Sequence, residues 1–182
     1  SGKNEPTLKK FKILMNAIFK YAVIHDIIPP DMNKVSYLNI KKAGNPDRRD
    51  RMPFSTAEIQ KLWKHKDANG YCNVILMLIY TGCRISELLA LKKEDINLQE
   101  KWFDIKKSKT AAGVRRVPIA DKVLPFFEFW YTLNGCKYLI STPEGKPFEY
   151  RNYYDSYWKP LVEQLNMKHR PHDTRHTCVS LL

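Results

Sequence analysis

The sequence predicts an α+β domain that is mainly α-helical and carries one small antiparallel β-sheet. Three observations point there. Apolar residues recur at three- and four-residue spacing along most of the chain, the period changes to two only around residues 102–119, and 43% of the 182 residues are apolar with 12% aromatic. A chain of this size buries about 70% of the surface its unfolded form exposes, so an apolar core alone can hold it. The four cysteines, Cys72, Cys83, Cys136 and Cys178, form no CxxC pair and no framework spacing, which makes reduced thiols the expectation.

Leu8, Phe11, Leu14, Ile18 and Tyr21 share one helical face, so residues 7–26 read as an amphipathic helix that Pro29-Pro30 prevents from continuing. Such a helix cannot bury its own stripe and belongs to a larger helical body. Residues 41–53 (KKAGNPDRRDRMP) hold two prolines, no apolar period, and five basic against two acidic side chains, a net +3. That is a linker signature, and Arg48, Arg49 and Arg51 are candidates to lie along a phosphate backbone. The expected division is a helical remnant over 1–45, a basic linker over 46–53 and a compact domain over 54–182.

Ser55 and Glu58 form a capping box with Phe54 and Ile59 at the staple positions, so a helix starts there and runs to about Lys66. Gly70–Thr81 is nearly all apolar, which places that helix in the core, and Gly82 sits where a left-handed C-terminal residue belongs. Ile85–Leu91 is a short further helix. Trp102–Lys106 and Val114–Ile119 alternate and flank the loop Lys107–Gly113, the pattern of a hairpin. Asp121 is expected to cap a helix reaching Leu133, and Tyr138–Ser141 to form a short strand. Tyr150–Leu165 is expected to be helical, and Asp173–Leu182 to form a last helix after Pro171.

Lys and Arg number 31 against 19 Asp and Glu, for a net charge of +12. On a folded domain this makes a polyanion, nucleic acid first, the leading partner; the competing reading is lysines that only solubilise. The longest apolar run, Val74–Tyr80, falls far short of the about 20 residues a membrane helix needs, so no membrane contact is expected. The chain opens with no signal peptide, Ser1-Gly2 looks like a cloning remnant, and a cytoplasmic location is expected.

Three segments carry chemistry. In Thr81-Gly82-Cys83-Arg84-Ile85-Ser86-Glu87, Arg84 opens a helix just after a turn, so its guanidinium and free backbone N–H groups are expected to face one anion. Glu87, three residues on, can orient that Arg; a plain surface ion pair is the alternative. Residues 101–116 hold six basic side chains (Lys101, Lys106, Lys107, Lys109, Arg115, Arg116) and one acidic one, and a basic β-tip suits a DNA groove. Lys109 at that tip could donate a proton to a leaving oxygen; a solvated turn that protects an edge strand is the competing reading. Finally, Lys168–Thr177 (KHRPHDTRHT) packs three of the five histidines into eight residues, with His172 and Arg175 three apart at a helix start. A metal set of His169, His172, His176 and Cys178 is the alternative there, opposed by the neighbouring Lys168, Arg170 and Arg175.

Taken together, the TGxRxxELLxL box around Arg84 and Glu87, the SKT lysine followed by RRVPI, and HxxRH within HDTRHT resemble the tyrosine recombinases, phage and conjugative-transposon integrases in particular. The resemblance covers residues 54–182 and extends to 7–45, and implies a recombinase catalytic-domain fold preceded by the end of a core-binding domain. It further implies that Arg84 and Arg175 grip the scissile phosphate, Lys109 protonates the departing 5′ oxygen, His172 assists acid–base transfer and Glu87 supports Arg84. Double-stranded DNA at attachment sites would be the partner, a homotetramer the working assembly, and no metal or other cofactor is needed. That last point has a physical basis: in-line attack on a phosphodiester builds charge on its equatorial oxygens, which bidentate guanidinium groups match.

The family places its nucleophilic Tyr after the HxxR box. All ten tyrosines here precede Arg175, and Tyr150, Tyr153, Tyr154 and Tyr157 fall in one aromatic helix where packing explains them. The domain over 54–182 is therefore expected to be C-terminally incomplete, and the chain to bind DNA weakly at most and not to cleave it. The alternatives are a non-catalytic DNA-binding remnant or regulator and, less favoured, a type IB topoisomerase.

Overall fold

Asn4 accepts a hydrogen bond from the Thr7 amide at 3.1 Å, Pro6 sits in the first turn, and α1 (Glu5–Ile24) follows from that cap. The computed structural model describes residues 3–41, 43, 52–108 and 113–181. The chain divides into two compact units, Ser1–Asp50 and Arg51–Leu182. In the first, α1 is followed by two 3₁₀ turns, Pro30–Met32 and Lys34–Tyr37, and Lys12 Nζ ties the helix to the carbonyls of Ser36 and Leu38 at 3.0 and 2.6 Å. The stripe residues Phe11, Leu14 and Ile18 remain exposed. Most of the expected linker, with Arg48, Arg49 and Arg51, lies outside the described residues.

The second unit begins with the predicted capping box. Ser55 Oγ accepts from the Glu58 amide at 3.3 Å while Glu58 Oε2 accepts from the Ser55 amide at 2.8 Å, and α2 (Thr56–His65) follows. Helix α3 (Gly70–Thr81) has eight consecutive buried residues, Cys72 to Ile79, all apolar but Asn73, as a helix enclosed by the core requires. It ends at Gly82, whose φ of 62° is the left-handed conformation a Cβ disfavours. Helix α4 (Ile85–Leu89) stops two residues short of expectation. The helix end tightens there: the Leu91 amide bonds only three residues back, to the Leu88 carbonyl at 3.2 Å, and the Leu91 carbonyl receives the Leu139 amide at 2.8 Å.

Strands β1 (Ile96–Asn97), β2 (Trp102–Ile105) and β3 (Arg115–Pro118) make an antiparallel sheet in that order. The hairpin strands agree with the sequence reading; the two-residue β1 is too short to leave a periodic signal. Phe103 pairs with Val117, both facing the core, whereas Asp104 pairs with Arg116 on the outer face. The expected strand at Tyr138–Ser141 reduces to isolated bridges, Lys92 to Tyr138 and Ser141 to Pro147. Asp121 does not cap α5 (Leu124–Thr132): its carboxylate pairs with Lys101 at 2.7 Å, and Pro125 takes the first turn, where its missing N–H costs nothing.

The aromatic helix runs as α6 (Tyr150–Tyr153), a π segment (Tyr154–Trp158) and α7 (Lys159–Gln164). The wider turn directly precedes Pro160, whose ring would otherwise meet the carbonyl four residues back. Tyr153 and Trp158 are fully buried, and Trp158 Nε1 donates to the His169 carbonyl at 3.0 Å. Helix α8 (Asp173–Leu181) packs on α3. A Cβ at Gly82 would come within 2.9 Å of Cys178 Sγ, so Gly82 is required both for its φ and for the approach of α8.

Candidate active site

The turn at Gly82 organises the site. Its carbonyl accepts a hydrogen bond from Arg175 Nη1 of α8 at 2.8 Å, and two residues later Arg84 takes the N-cap position of α4. Arg84 does not offer its backbone amide to an anion as the sequence suggested. That N–H donates to Glu87 Oε2 at 3.0 Å, and Arg84 Nη1 donates to Glu87 Oε1 at 2.7 Å. The carboxylate three residues along a short helix reaches both groups at once.

Glu87 gathers more than Arg84. Ser108 Oγ donates to Glu87 Oε1 at 2.9 Å and Arg115 Nη2 to Glu87 Oε2 at 3.2 Å, while the Glu87 side chain is only 4% exposed. Burial works to raise the Glu87 carboxyl, but the Arg84 backbone and side chain, Ser108 and Arg115 outweigh it and hold the group at about 2. Glu87 is thus a fixed anion at neutral pH, not a surface ion-pair partner.

On α8, the Asp173 carboxylate accepts from the Arg170 amide at 2.8 Å and fixes the first turn, from which His172 and Arg175 project. His172 is exposed, and its ring meets that of His176 edge-on at 5.0 Å. Arg84, Ser86, Tyr150, His172 and Arg175 line one cavity of about 350 Å³. Two guanidinium groups and an imidazole, separated by about ninety positions in sequence, therefore face a shared space large enough for a phosphodiester. Arg84 keeps 35% of its side chain exposed while bound to Glu87, so donors remain to meet a ligand.

The other predicted residues distribute differently. Lys109 lies outside the described residues. Lys107 is exposed; Lys106 pairs with Asp95; and Arg116 is held by Asp104 at 3.0 and 3.2 Å while stacking on Trp102 at 3.5 Å. Arg115 turns inward to Glu87. His169, a member of the alternative metal set, stacks on Phe54 at 3.8 Å, with Nε2 3.1 Å from Glu58 Oε1 and Nδ1 3.5 Å from Asp173 Oδ2, so it joins α2 to α8. Among the described residues no three His, Cys, Asp or Glu side chains converge as a metal site would require, and no helix is long and apolar enough to cross a membrane.

Sequence reasoning missed Tyr150 and Ser108. Tyr150 is half exposed on the cavity wall, and burial, with Tyr154 beside it, raises its phenol, which stays protonated. Helical spacing could not separate it from Tyr153 and Tyr157, which face Tyr71 and Phe148 in the core. Ser108 stands in the SKT box, where its position beside Lys109 was the available signal.

Comparison with known proteins gives the family and the fold. The sequence profile of the phage integrase family matches residues 53–182, and the chain belongs to that family. It is 25% identical over 181 residues to a tyrosine recombinase of Thermosipho africanus, covering 95% of this chain; the chain spans 60% of the length of that relative. The fold is similar to that of the Tn1549 transposon integrase in complex with circular intermediate DNA, with a TM-score of 0.82 at 21% identity, over 100% of this chain and 67% of the other. It is also similar to a lambda integrase dimer bound to a COC′ core site, with a TM-score of 0.75 at 15% identity, over 97% of this chain and 52% of the other.

Proposed function

We propose that this chain carries the phosphate-binding part of a site-specific DNA recombinase. The observation that supports it is the single cavity shared by Arg84, His172 and Arg175. In the reaction we assign, a tyrosyl oxygen attacks the scissile phosphorus in line. The attacking hydroxyl gives up its proton to a base at the site, a tyrosyl–phosphorus bond forms to the 3′ phosphate, the bond to the 5′ oxygen breaks, and a proton passes to that oxygen. Arg84 and Arg175 bind the non-bridging oxygens, where charge accumulates, and their fork geometry offers paired donors. His172 moves a proton at this site, Glu87 holds Arg84, and Lys109 is assigned the leaving 5′ oxygen by the family resemblance. Reversal on a new 5′ end joins the strands. Double-stranded DNA attachment sites are the proposed substrate, with four copies assembled on them.

No tyrosine follows Arg175 in these 182 residues, so this polypeptide is proposed to bind duplex DNA without forming a covalent adduct. The test is anisotropy of a labelled duplex titrated with the chain across a salt series. Binding should weaken steeply, log K falling by about 0.9 per phosphate neutralised for each tenfold rise in salt. Absence of binding at low salt, or binding that Arg84→Ala and Arg175→Ala leave unchanged, rejects the reading.

A further inference from the structure

We propose that Arg115 is a positioning residue: with Ser108 it ties both ends of the basic hairpin loop to the carboxylate that holds Arg84. This rests on the functional reading above for its purpose, though not for its geometry. Basic residues at a hairpin tip are ordinarily candidates for phosphate contact, and Arg116, on the outer face, keeps that option. Arg115 does not share its position. Its Nη2 meets Glu87 Oε2 at 3.2 Å and its Nη1 donates to the Gly113 carbonyl at 2.8 Å, so each end of its fork is anchored to the protein. Ser108, at the other end of the loop, donates to Glu87 Oε1 at 2.9 Å and lies 3.4 Å from Arg84 Nη1.

One carboxylate thus receives the strand entering the loop, the strand leaving it and the phosphate-binding Arg84. Arg115 lies opposite Ile105 in the hairpin register, at the base of the loop. Tying Ser108 and Arg115 to one carboxylate fixes these two positions against Arg84, so the three groups are held together at lower entropic cost than if each were free. The charge on Glu87 also accounts for the choice of Arg: a buried carboxylate with one cation removed is left partly unpaired, whereas two guanidinium groups and a hydroxyl satisfy its lone pairs.

Two measurements test this on the 182-residue chain. Amide hydrogen exchange without DNA should show residues 105–108 and 113–116 exchanging about tenfold faster in Ser108→Ala, Arg115→Ala and Glu87→Gln, with Arg115→Ala adding nothing once Glu87→Gln is present. In duplex binding, Arg115→Ala and Glu87→Gln should each weaken affinity about tenfold and the double variant no further, while Arg115→Lys, which keeps the charge but loses the fork, should recover only part. Unchanged exchange in the three single variants, or binding losses that multiply in the double variant as for a direct phosphate contact, overturns the proposal. If the unsubstituted chain fails to bind duplex, the functional reading falls, and the exchange measurement alone decides the clasp.

Discussion

Arg175 on α8 donates its Nη1 to the carbonyl of Gly82 at 2.8 Å, so the turn that presents Arg84 two residues later also aligns the second arginine. The spacing between the two guanidinium groups is set by one backbone feature. Removing either arginine should weaken duplex binding about tenfold, the size of a lost charge-assisted contact to an oxyanion. Arg175→Ala should in addition lower unfolding free energy by about 1 kcal/mol for the lost bond to Gly82; Arg84→Ala leaves that bond intact but takes a cation from buried Glu87, so it too should melt earlier. Parallel anisotropy and urea-melt measurements separate the two effects.

Gly82→Ala meets two obstacles at once. A φ of 62° disfavours any Cβ by about 1–2 kcal/mol, and the new methyl would stand 2.9 Å from Cys178 Sγ. The combined change should cost about 2–4 kcal/mol, within the range of strained and overpacked sites. In a Cys178→Ala background the steric part should recover and the conformational part persist. Equal losses in both backgrounds would mean that α8 does not press on this turn.

Acid should loosen the site through Glu87. Its carboxyl sits at about 2 in the folded protein against an ordinary 4.5, because the Arg84, Ser108 and Arg115 groups outweigh the opposing effect of burial. The stabilisation is therefore complete above about 4.5 and is lost as pH falls toward about 2. Urea melts across that window should show a decline that is shallower in Glu87→Gln. Identical slopes would remove Glu87 as its source.

His169 is predicted to be structural. Wedged between Glu58 and Asp173 and stacked on Phe54, it should cost about 1–3 kcal/mol when changed to Ala, because two carboxylates lose the group between them. Duplex affinity measured well below the melting temperature should stay within about twofold. A large loss of affinity in a stable variant would place His169 in the site instead.

Much of this architecture was legible because local rules acted alone. The Ser55–Glu58 box, the nearly all-apolar α3 and the terminal Gly82 each carry their signal within a few residues, and the structure has them where the sequence suggests. Two of the failures share one cause, competition for a group by a partner distant in sequence: Asp121 gives its carboxylate to Lys101, and Arg115 gives its guanidinium to Glu87. Arg84 with Glu87 and His172 with Arg175 were readable as pairs because each lies within one helical turn. That the two pairs meet was implied only by resemblance, and Tyr150 joins them for reasons that no periodicity encodes.

The amide of Phe54 is bonded to Thr177 Oγ1 of α8 at 2.8 Å, and the Phe54 ring rests on His169. The start of the second unit is thus fastened to the helix that bears Arg175. One helix therefore both secures the first residues of this unit and carries Arg175, so a change at Thr177 disturbs the entry to the fold and the site together.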